Sequence, residues 1–363
     1  MIGQRLLRIG SLLLRAPLRS GVAMARAAQA DRAEDAVLES WIAEEAEKRG
    51  VTLPRRSVSR ILSMAKRRPR AKRPGRLAVV CCHFNPANWS RPRDNYLRFL
   101  HSMEWHGVPV FNAEVAFPGQ QFPTTDAFLQ IHALDGQAIW QKERLINLLA
   151  ESLPKDFTHI AWIDADILFL DKDWPSKTMA ALAEYPVVQL WNRWHCADED
   201  GAVVQVLAGV GPMAERYMGA GVSSPGGAWA ARRSVFPLYD RHIVGSGDAM
   251  CLEGWMGLEH SRCLGRMSEA MKRDYEPWAK TAWSKVGGNI GALKGEAFHL
   301  FHGARQDRQY VDRWQPVIDA GFDPAEHLRI ADNGLLEWTG SAPDGLRAWV
   351  RRYFAARNED GGQ

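Results

Sequence analysis

Two carboxylates at the end of an apolar run are the first residues here whose types and spacing could do chemistry. Asp164 and Asp166 follow the run from Thr158 to Ile163, with only the small Ala165 between them. A buried carboxylate pair is costly unless something cationic satisfies it. A hard divalent ion is the economical partner, and such an ion commonly also holds substrate phosphates. The residues alone leave other readings open, a pair capping a following helix or a pair meeting an arginine. Asp-x-Asp also occurs at Asp171/Asp173 and Asp198/Asp200. Context separates the three. Asp171 and Asp173 flank Lys172 and precede Trp174-Pro175, as an exposed turn would. Asp198-Glu199-Asp200 runs into Gly201 and reads as a surface loop.

Other residues could complete such a centre. Asp248 follows Gly245-Ser246-Gly247, a flexible run that admits a ligand closely. It is a candidate general base, and it is also a good N-cap for a helix beginning there. His299 and His302 stand three apart. In a straight strand that spacing points them to opposite faces. Both reach one ion only if the chain turns, which Gly303 permits; packed core histidines are the other reading. Arg308, Tyr310 and Arg313 follow. Arginine suits phosphate geometry, though a solvated loop would look the same.

The elements that must position these residues alternate. LAVVCCHF (77–84) is a continuous apolar run ending at Asn85-Pro86, the pattern of a buried parallel strand. Helical spacing follows over 95–105, then a strand over 109–117 and a helix over 140–153 closed by Pro154. Residues 158–170 read as strand, loop and strand, and 186–191 as another strand. Alternation of this kind predicts a mostly parallel sheet flanked by helices. Ligands of such sheets bind beyond the carboxyl ends of strands. That singles out His83, Phe84 and Asn85 after the first strand, and Glu114 at the end of the second.

The chain has 363 residues, 46% hydrophobic and 24% charged. These ordinary globular values exclude collagen-like, wholly disordered and disulfide-scaffold classes. No apolar run approaches the length of a membrane-spanning helix. The net charge of +4 hides an asymmetry: residues 1–76 carry 18 Lys/Arg against 7 Asp/Glu, and the remainder is mildly acidic. Residues 1–20 read as a basic amphipathic helix that could lie on an anionic membrane surface, or as a solvated leader. Helical stripes over 31–49 and 58–65 precede a basic linker, KRRPRAKRPGR (66–76). The five cysteines (Cys81, Cys82, Cys196, Cys251 and Cys263) form no CxxC. This is reduced-compartment usage and predicts a cytoplasmic, membrane-peripheral protein.

Four segments, in order, resemble the GT-A glycosyltransferases, most closely the β-1,4-galactosyltransferase group. WQKERLIN (140–147) resembles that group's uridine-binding helix, Phe-Asn-Arg-Ala-x-x-x-Asn, with Lys142 where the family has Arg and Asn147 matching. WIDADILF (162–169) resembles the strand that ends in Asp-x-Asp. GGAWAARRSVF (226–236), with VGSGDAM (244–250) after it, resembles the Gly-Gly segment and the Trp-Gly-x-Gly-Glu-Asp stretch, whose Glu is missing here. HLFHGARQDRQY (299–310) resembles the segment whose residues i and i+3 complete the metal site.

The resemblance implies a GT-A, Rossmann-like α/β domain over 77–315. Its nucleotide-sugar half would be 77–190 and its acceptor half 191–315. A basic helical extension (1–76) would precede it, and a helical tail packed on the body (316–363) would follow. It implies a metal-dependent, inverting transfer of a sugar from a nucleoside diphosphate sugar, a UDP-sugar by expectation, to a glycan, lipid-linked or protein acceptor. Asp164, Asp166, His299 and His302 would serve Mn²⁺ or Mg²⁺, and mixed oxygen and imidazole ligands suit Mn²⁺ better. Asp248 would be the base. His83, Phe84, Asn85, Glu114, Lys142 and Asn147 would hold the nucleotide sugar. Gly226, Gly227 and Trp229 would support the acceptor or sugar, although Trp229 reads equally as core. The competing class is a non-catalytic nucleic-acid- or membrane-binding protein on a degenerate fold, leaning on residues 55–76. Four retained acid and imidazole candidates count against it, and nucleic acid is not an expected partner.

Overall fold

The computed structural model describes residues 51–52, 75–210, 223–257, 263–310 and 312–362. Apart from residues 51–52, 75 and 76, the readings of the basic arm and its membrane contact lie outside the described residues. Within them, no helix is long and apolar enough to cross a membrane, and all five cysteines are free.

The first half of the chain alternates as its pattern predicts. In order come β1 (Val51–Thr52), β2 (Arg76–Phe84), α1 (Ser90–His106), β3 (Val110–Ala116), β4 (Leu129–His132), α2 (Lys142–Ser152), β5 (Phe157–Ile163), β6 (Ile167–Phe169), α3 (Trp174–Glu184) and β7 (Val187–Gln189). The second half holds β8 (Arg193–Ala197), β9 (Val203–Gly209), β10 (Ser223–Ser224), β11 (Ala228–Arg232), α4 (Gly247–Met256), α5 (Glu269–Val286), β12 (Ile290–Ala292) and β13 (Glu296–His299). Then come α6 (Gln315–Asp319), α7 (Pro324–His327), β14 (Leu328–Ile330), β15 (Leu336–Trp338) and α8 (Asp344–Ala356).

The main sheet has eight strands in the order β1-β4-β3-β2-β5-β11-β7-β12. It is mostly parallel; β11 runs against both β5 and β7, and β1 against β4. Its central strands are largely apolar because both faces are covered. Leu77, Val79 and Cys81 of β2 pack with Ala161 and Ile163 of β5 on one side, where α1 lies. Ala78 and Val80 pack with Ile160 and Trp162 on the other, against α2, α4, α5 and α8. The period-two alternation of the strands thus feeds two cores rather than one core and solvent.

A second, five-stranded sheet, β10-β9-β8-β13-β6, stands at the end of β5. Its register matters for function. Ile163 of β5 pairs with Ala228 of β11, so Asp164 arrives opposite Gly227 and donates its N–H to the Gly227 carbonyl at 2.7 Å. Ile167 of β6 pairs with His299 of β13, so Asp166 arrives opposite Leu300, whose N–H bonds the Asp166 carbonyl at 2.9 Å. Two strand pairings fix the acidic turn between Gly227 and the histidine segment.

The tail is less helical than expected, because residues 328–338 form the β14–β15 hairpin. Leu346, Val350, Tyr353 and Phe354 of α8 are buried in the same core as β2 and β5. Beyond α8 the chain returns to α1. Trp89, at the N-cap of α1, has no side-chain cap; instead the Asp360 carboxylate accepts from Ser90 N at 3.1 Å and Arg91 N at 2.7 Å. A carboxylate there satisfies free N–H groups and meets the positive end of the helix. Asp360→Ala is expected to lower stability by about 0.5–2 kcal/mol, read from the denaturant midpoint, with Asp360→Asn recovering part of the loss. An unchanged midpoint would show that the cap contributes nothing.

Candidate active site

The turn after β5 sends its two carboxylates to different partners. Asp164 Oδ1 lies 2.6 Å from Lys142 Nζ, and the same ammonium lies 2.8 Å from Asp248 Oδ2. Lys142 begins α2 and is 8% exposed. Burial works against its charge, but Asp164, Asp248 and Glu143 outweigh that and hold it well above the ordinary lysine range. Burial pushes the Asp164 carboxyl up to about 7 against the pull of Lys142. It also raises the Asp248 carboxyl, again opposed by Lys142. Lys142 is therefore the countercharge of the two acids, not a group free to meet a base, as the resemblance implied. Asp164 likewise spends its Oδ1 on that ammonium.

Asp166 faces the other way. Its Oδ2 lies 3.2 Å from His302 Nδ1 and 3.7 Å from His299 Nε2. Its Oδ1 is buried and has no hydrogen-bond partner among the described residues. One ligand atom from each of Asp166, His299 and His302 lies within 4.8 Å of the others. The objection that residues three apart diverge is met by the backbone: β13 ends at His299, and Gly303 takes φ +98°. A side chain at Gly303 would meet the carbonyls of Arg357 and Asn358 at 2.9 and 2.8 Å. The turn thus depends on glycine, and it swings His302 back beside His299, with the two rings 4.6 Å apart and perpendicular.

The electrostatics of this triad suit a cation. Burial alone would raise the Asp166 carboxyl, but His302 and His299 hold it well below the usual carboxylate range. Burial tends to lower His299, yet Asp166 brings it up to about 9. His302 is held well below its ordinary value by burial and by Arg308. An ionised carboxylate with an idle oxygen, a neutral imidazole, and a second imidazole whose proton an ion would replace form a fitting donor set for a divalent metal.

Asp248 occupies the first turn of α4, after Ser246 in the left-handed region at φ +83°. Ser246 is held by Arg313, whose Nη2 donates to its Oγ at 2.6 Å, while Nη1 reaches Tyr353 OH at 3.0 Å. Arg313 is thus a buried strut between α4 and α8 rather than a solvated loop residue. The sequence allowed Asp248 to be the N-cap; Ser246 takes that place instead, and Asp248 is the second residue of the helix.

Several expected contacts are structural instead. Glu114 is fully buried and accepts from Tyr96 OH (2.9 Å), Thr124 Oγ1 (2.6 Å) and Gln130 Nε2 (3.0 Å), so no oxygen is free for a ribose. Asn147 exchanges hydrogen bonds with the Leu238 backbone (2.9 and 2.8 Å), which pins residues 238–240 to α2. Trp229 is 1% exposed, packs on Trp255, and donates its indole N–H to the Pro225 carbonyl at 2.7 Å; it is core, not a sugar platform. His83 is buried and stacked on Tyr96, and burial lowers it to about 4, so it stays neutral. The Asn85 amide closes a turn on Trp89. Gly226 and Gly227 lie against the Trp194 ring, and Trp194 in turn packs on His299. They support the acidic turn and the triad together.

Of the strand-end residues, Phe84 is half-buried and meets Trp140 edge-on at 5.3 Å. Just beyond it a cleft of about 550 Å³ opens between Pro86, Ala87, Phe117, Pro118, Ala138 and Phe354. It lies past the carboxyl ends of β2 and β3. The residues that sequence reasoning missed are Arg357 and Glu359. They lie near the C-terminus without a motif, and the guanidinium of Arg357 sits 5.4 Å from the Trp140 ring.

No protein-family model matches the chain, and no curated protein does. Among solved structures, the catalytic domain of Drosophila β1,4-galactosyltransferase 7 with xylobiose is similar at 14% identity and a TM-score of 0.30, over 61% of this chain and 67% of that one. Glucosyl-3-phosphoglycerate synthase of Mycobacterium tuberculosis, in complex with Mn²⁺, UDP and phosphoglyceric acid, is similar at 12% identity and a TM-score of 0.35, over 67% and 76%.

Mn²⁺ titrated into the protein should bind at one site and be lost in Asp166→Ala. Because His299 holds its proton up to about pH 9, binding near neutrality must expel that proton. Affinity should therefore rise with pH between 6 and 9. Calorimetry in two buffers of different ionisation enthalpy reads the released proton directly. Uptake that ignores both pH and Asp166→Ala would place the ion elsewhere.

Proposed function

We propose that this protein is a metal-dependent glycosyltransferase that moves a sugar from a nucleoside diphosphate sugar to a hydroxyl acceptor with inversion. One observation carries the reading. A buried Asp166 oxygen without a hydrogen-bond partner among the described residues converges with His299 and His302, two residues away from a carboxylate that Lys142 ties to Asp248. The sequence resemblance to GT-A enzymes agrees with it and makes a UDP-sugar the first donor to test.

Asp166, His299 and His302 would hold the ion, which supplies Lewis-acid neutralisation of a diphosphate leaving group. The rest is work for this chain's own side chains. Asp248 takes the proton from the acceptor hydroxyl as that oxygen attacks the anomeric carbon. The bond from that carbon to the diphosphate oxygen breaks in the same displacement, which inverts the centre. Lys142 holds Asp248 in place. Burial raises the Asp248 carboxyl against the pull of Lys142, which strengthens it as a base. The cleft past β2 and β3, lined by apolar side chains with Gln120, Asp135 and Arg351 among them, offers room for the nucleoside. The acceptor class, a glycan, a lipid-linked glycan or a protein, stays an expectation of the resemblance, as do the cytoplasmic placement and the membrane-peripheral arm.

Asp248→Asn separates binding from chemistry. It should keep Mn²⁺-dependent UDP binding and lose sugar transfer by roughly 10²-fold or more, the scale of a removed general base. Asp166→Ala should lose both. Metal-independent UDP binding, or transfer undiminished in Asp248→Asn, would refute the mechanism.

A further inference from the structure

Two arginines converge on one internal carboxylate beside the triad. Glu359 Oε1 accepts from Arg357 Nη2 at 2.6 Å and Nε at 2.8 Å, and Arg308 Nη2 lies 3.6 Å from the same oxygen. All three side chains are nearly buried. Arg308 also donates to the His302 carbonyl at 2.5 Å and touches the His302 ring. Arg357 lies over Trp140, which in turn packs on Phe84 at the end of β2. The cationic pair therefore spans the space from a metal-ligand candidate to the strand end where a nucleoside would sit.

This arrangement has the features of an anion site filled from within. Paired guanidinium groups are the donors that fit a phosphate best. Burying two of them needs an anion nearby. The anion present is the carboxylate of Glu359 in the short segment after α8. That segment is anchored by Asp360 on the start of α1 and by the close approach of residues 357–359 to Gly303. It leaves Arg308 and Arg357 pre-oriented and already desolvated.

We propose that Glu359 is a built-in stand-in for a diphosphate: it occupies the Arg308–Arg357 pair until a substrate diphosphate takes its place, and residues 358–362 are then released. The proposal rests on the nucleoside diphosphate reading above and adds a device to it. Displacement exchanges one carboxylate for a more highly charged anion on the same donors. It also removes Asp360 from Ser90 and Arg91, so the start of α1 loses its cap when the site fills. Release of residues 358 and 359 from Gly303 loosens the turn that carries His302, while Arg357 stays as a donor.

Pyrophosphate and UDP, each titrated calorimetrically into the full chain with Mn²⁺ present, test this against Glu359→Gln. The variant should bind pyrophosphate about tenfold more tightly, equivalent to about 1.4 kcal/mol, while its melting temperature falls. Unchanged or weaker binding would overturn the proposal and leave Glu359 a structural anchor. Equal tightening for UDP assigns the site to the diphosphate of a nucleotide; tightening for pyrophosphate alone assigns it to free diphosphate. Should the variant not fold, hydrogen exchange on the unaltered protein decides. Pyrophosphate should speed exchange at the amides of Ser90, Arg91 and residues 358–362, and protection that persists at saturation overturns the release. If pyrophosphate binds no sample, the stand-in is refuted, while Mn²⁺ uptake in the same samples keeps the metal centre; loss of Mn²⁺ uptake as well removes the reading beneath it.

Discussion

The structure is organised around the cost of burying carboxylates at the end of a sheet. Asp164, Asp166 and Asp248 all sit where water is scarce, and each needs a positive partner. The chain supplies Lys142 for two of them, and its position at the start of α2 lets one ammonium bridge the end of β5 and the start of α4. Asp166 is treated differently. It receives imidazoles, and one of its oxygens is left idle. A site built only for stability would have paired that oxygen as fully as Glu114 is paired in β3. The contrast between a saturated Glu114 and an unsaturated Asp166 is the physical basis for reading one as structure and the other as function.

The same constraint explains how far strand register reaches. Asp164 and Asp166 are two residues apart, yet they belong to different sheets. The pairing of β5 with β11 places the first against Gly227, and the pairing of β6 with β13 places the second against Leu300. A one-residue slip in either ladder would exchange inward and outward side chains. Apolar pairs such as Ile163 with Ala228 hold the register, so the cores on both faces of the main sheet also hold the chemistry in place. Gly227, with positive φ and the Trp194 ring against it, couples the two sheets at the point where the acids emerge.

Much of this was legible in the sequence, and the limits have physical reasons. The strands β2, β3, β5 and β6 and the helix α2 carry strong local patterns, and each stands within a few residues of its expected place. Asp166, His299, His302 and Asp248 could be singled out by type and spacing because their chemistry is unusual at strand and helix ends. Glu114 and Asn147 were misread, and Trp229 was left between core and site, for the opposite reason. An acid, an amide or an indole has the same letter whether its polar atoms face a ligand or a neighbouring backbone. Only the partners distinguish them: Tyr96, Thr124 and Gln130 for Glu114, Leu238 for Asn147, Pro225 for Trp229. Those partners are mostly distant in sequence, and no local pattern reports them. The tail was read as helical throughout, and the β14–β15 hairpin, three residues a strand, is too short for periodicity to show.

The C-terminal segment was the least legible part for a related reason, since its function comes from where it ends. Glu359 and Asp360 are ordinary surface acids by sequence. The burial of α8 in the core carries them back across the ends of β2 and β3, where one meets two arginines and the other a helix start. Arg308 lies within the segment whose histidines read as ligands, and Arg357 lies in the tail; neither guanidinium could be left buried without an anion. The folded chain solves that problem with its own last residues. That internal charge balance is the one an incoming anion would have to displace, so stability and ligand access at this end of the sheet would be set by the same three side chains.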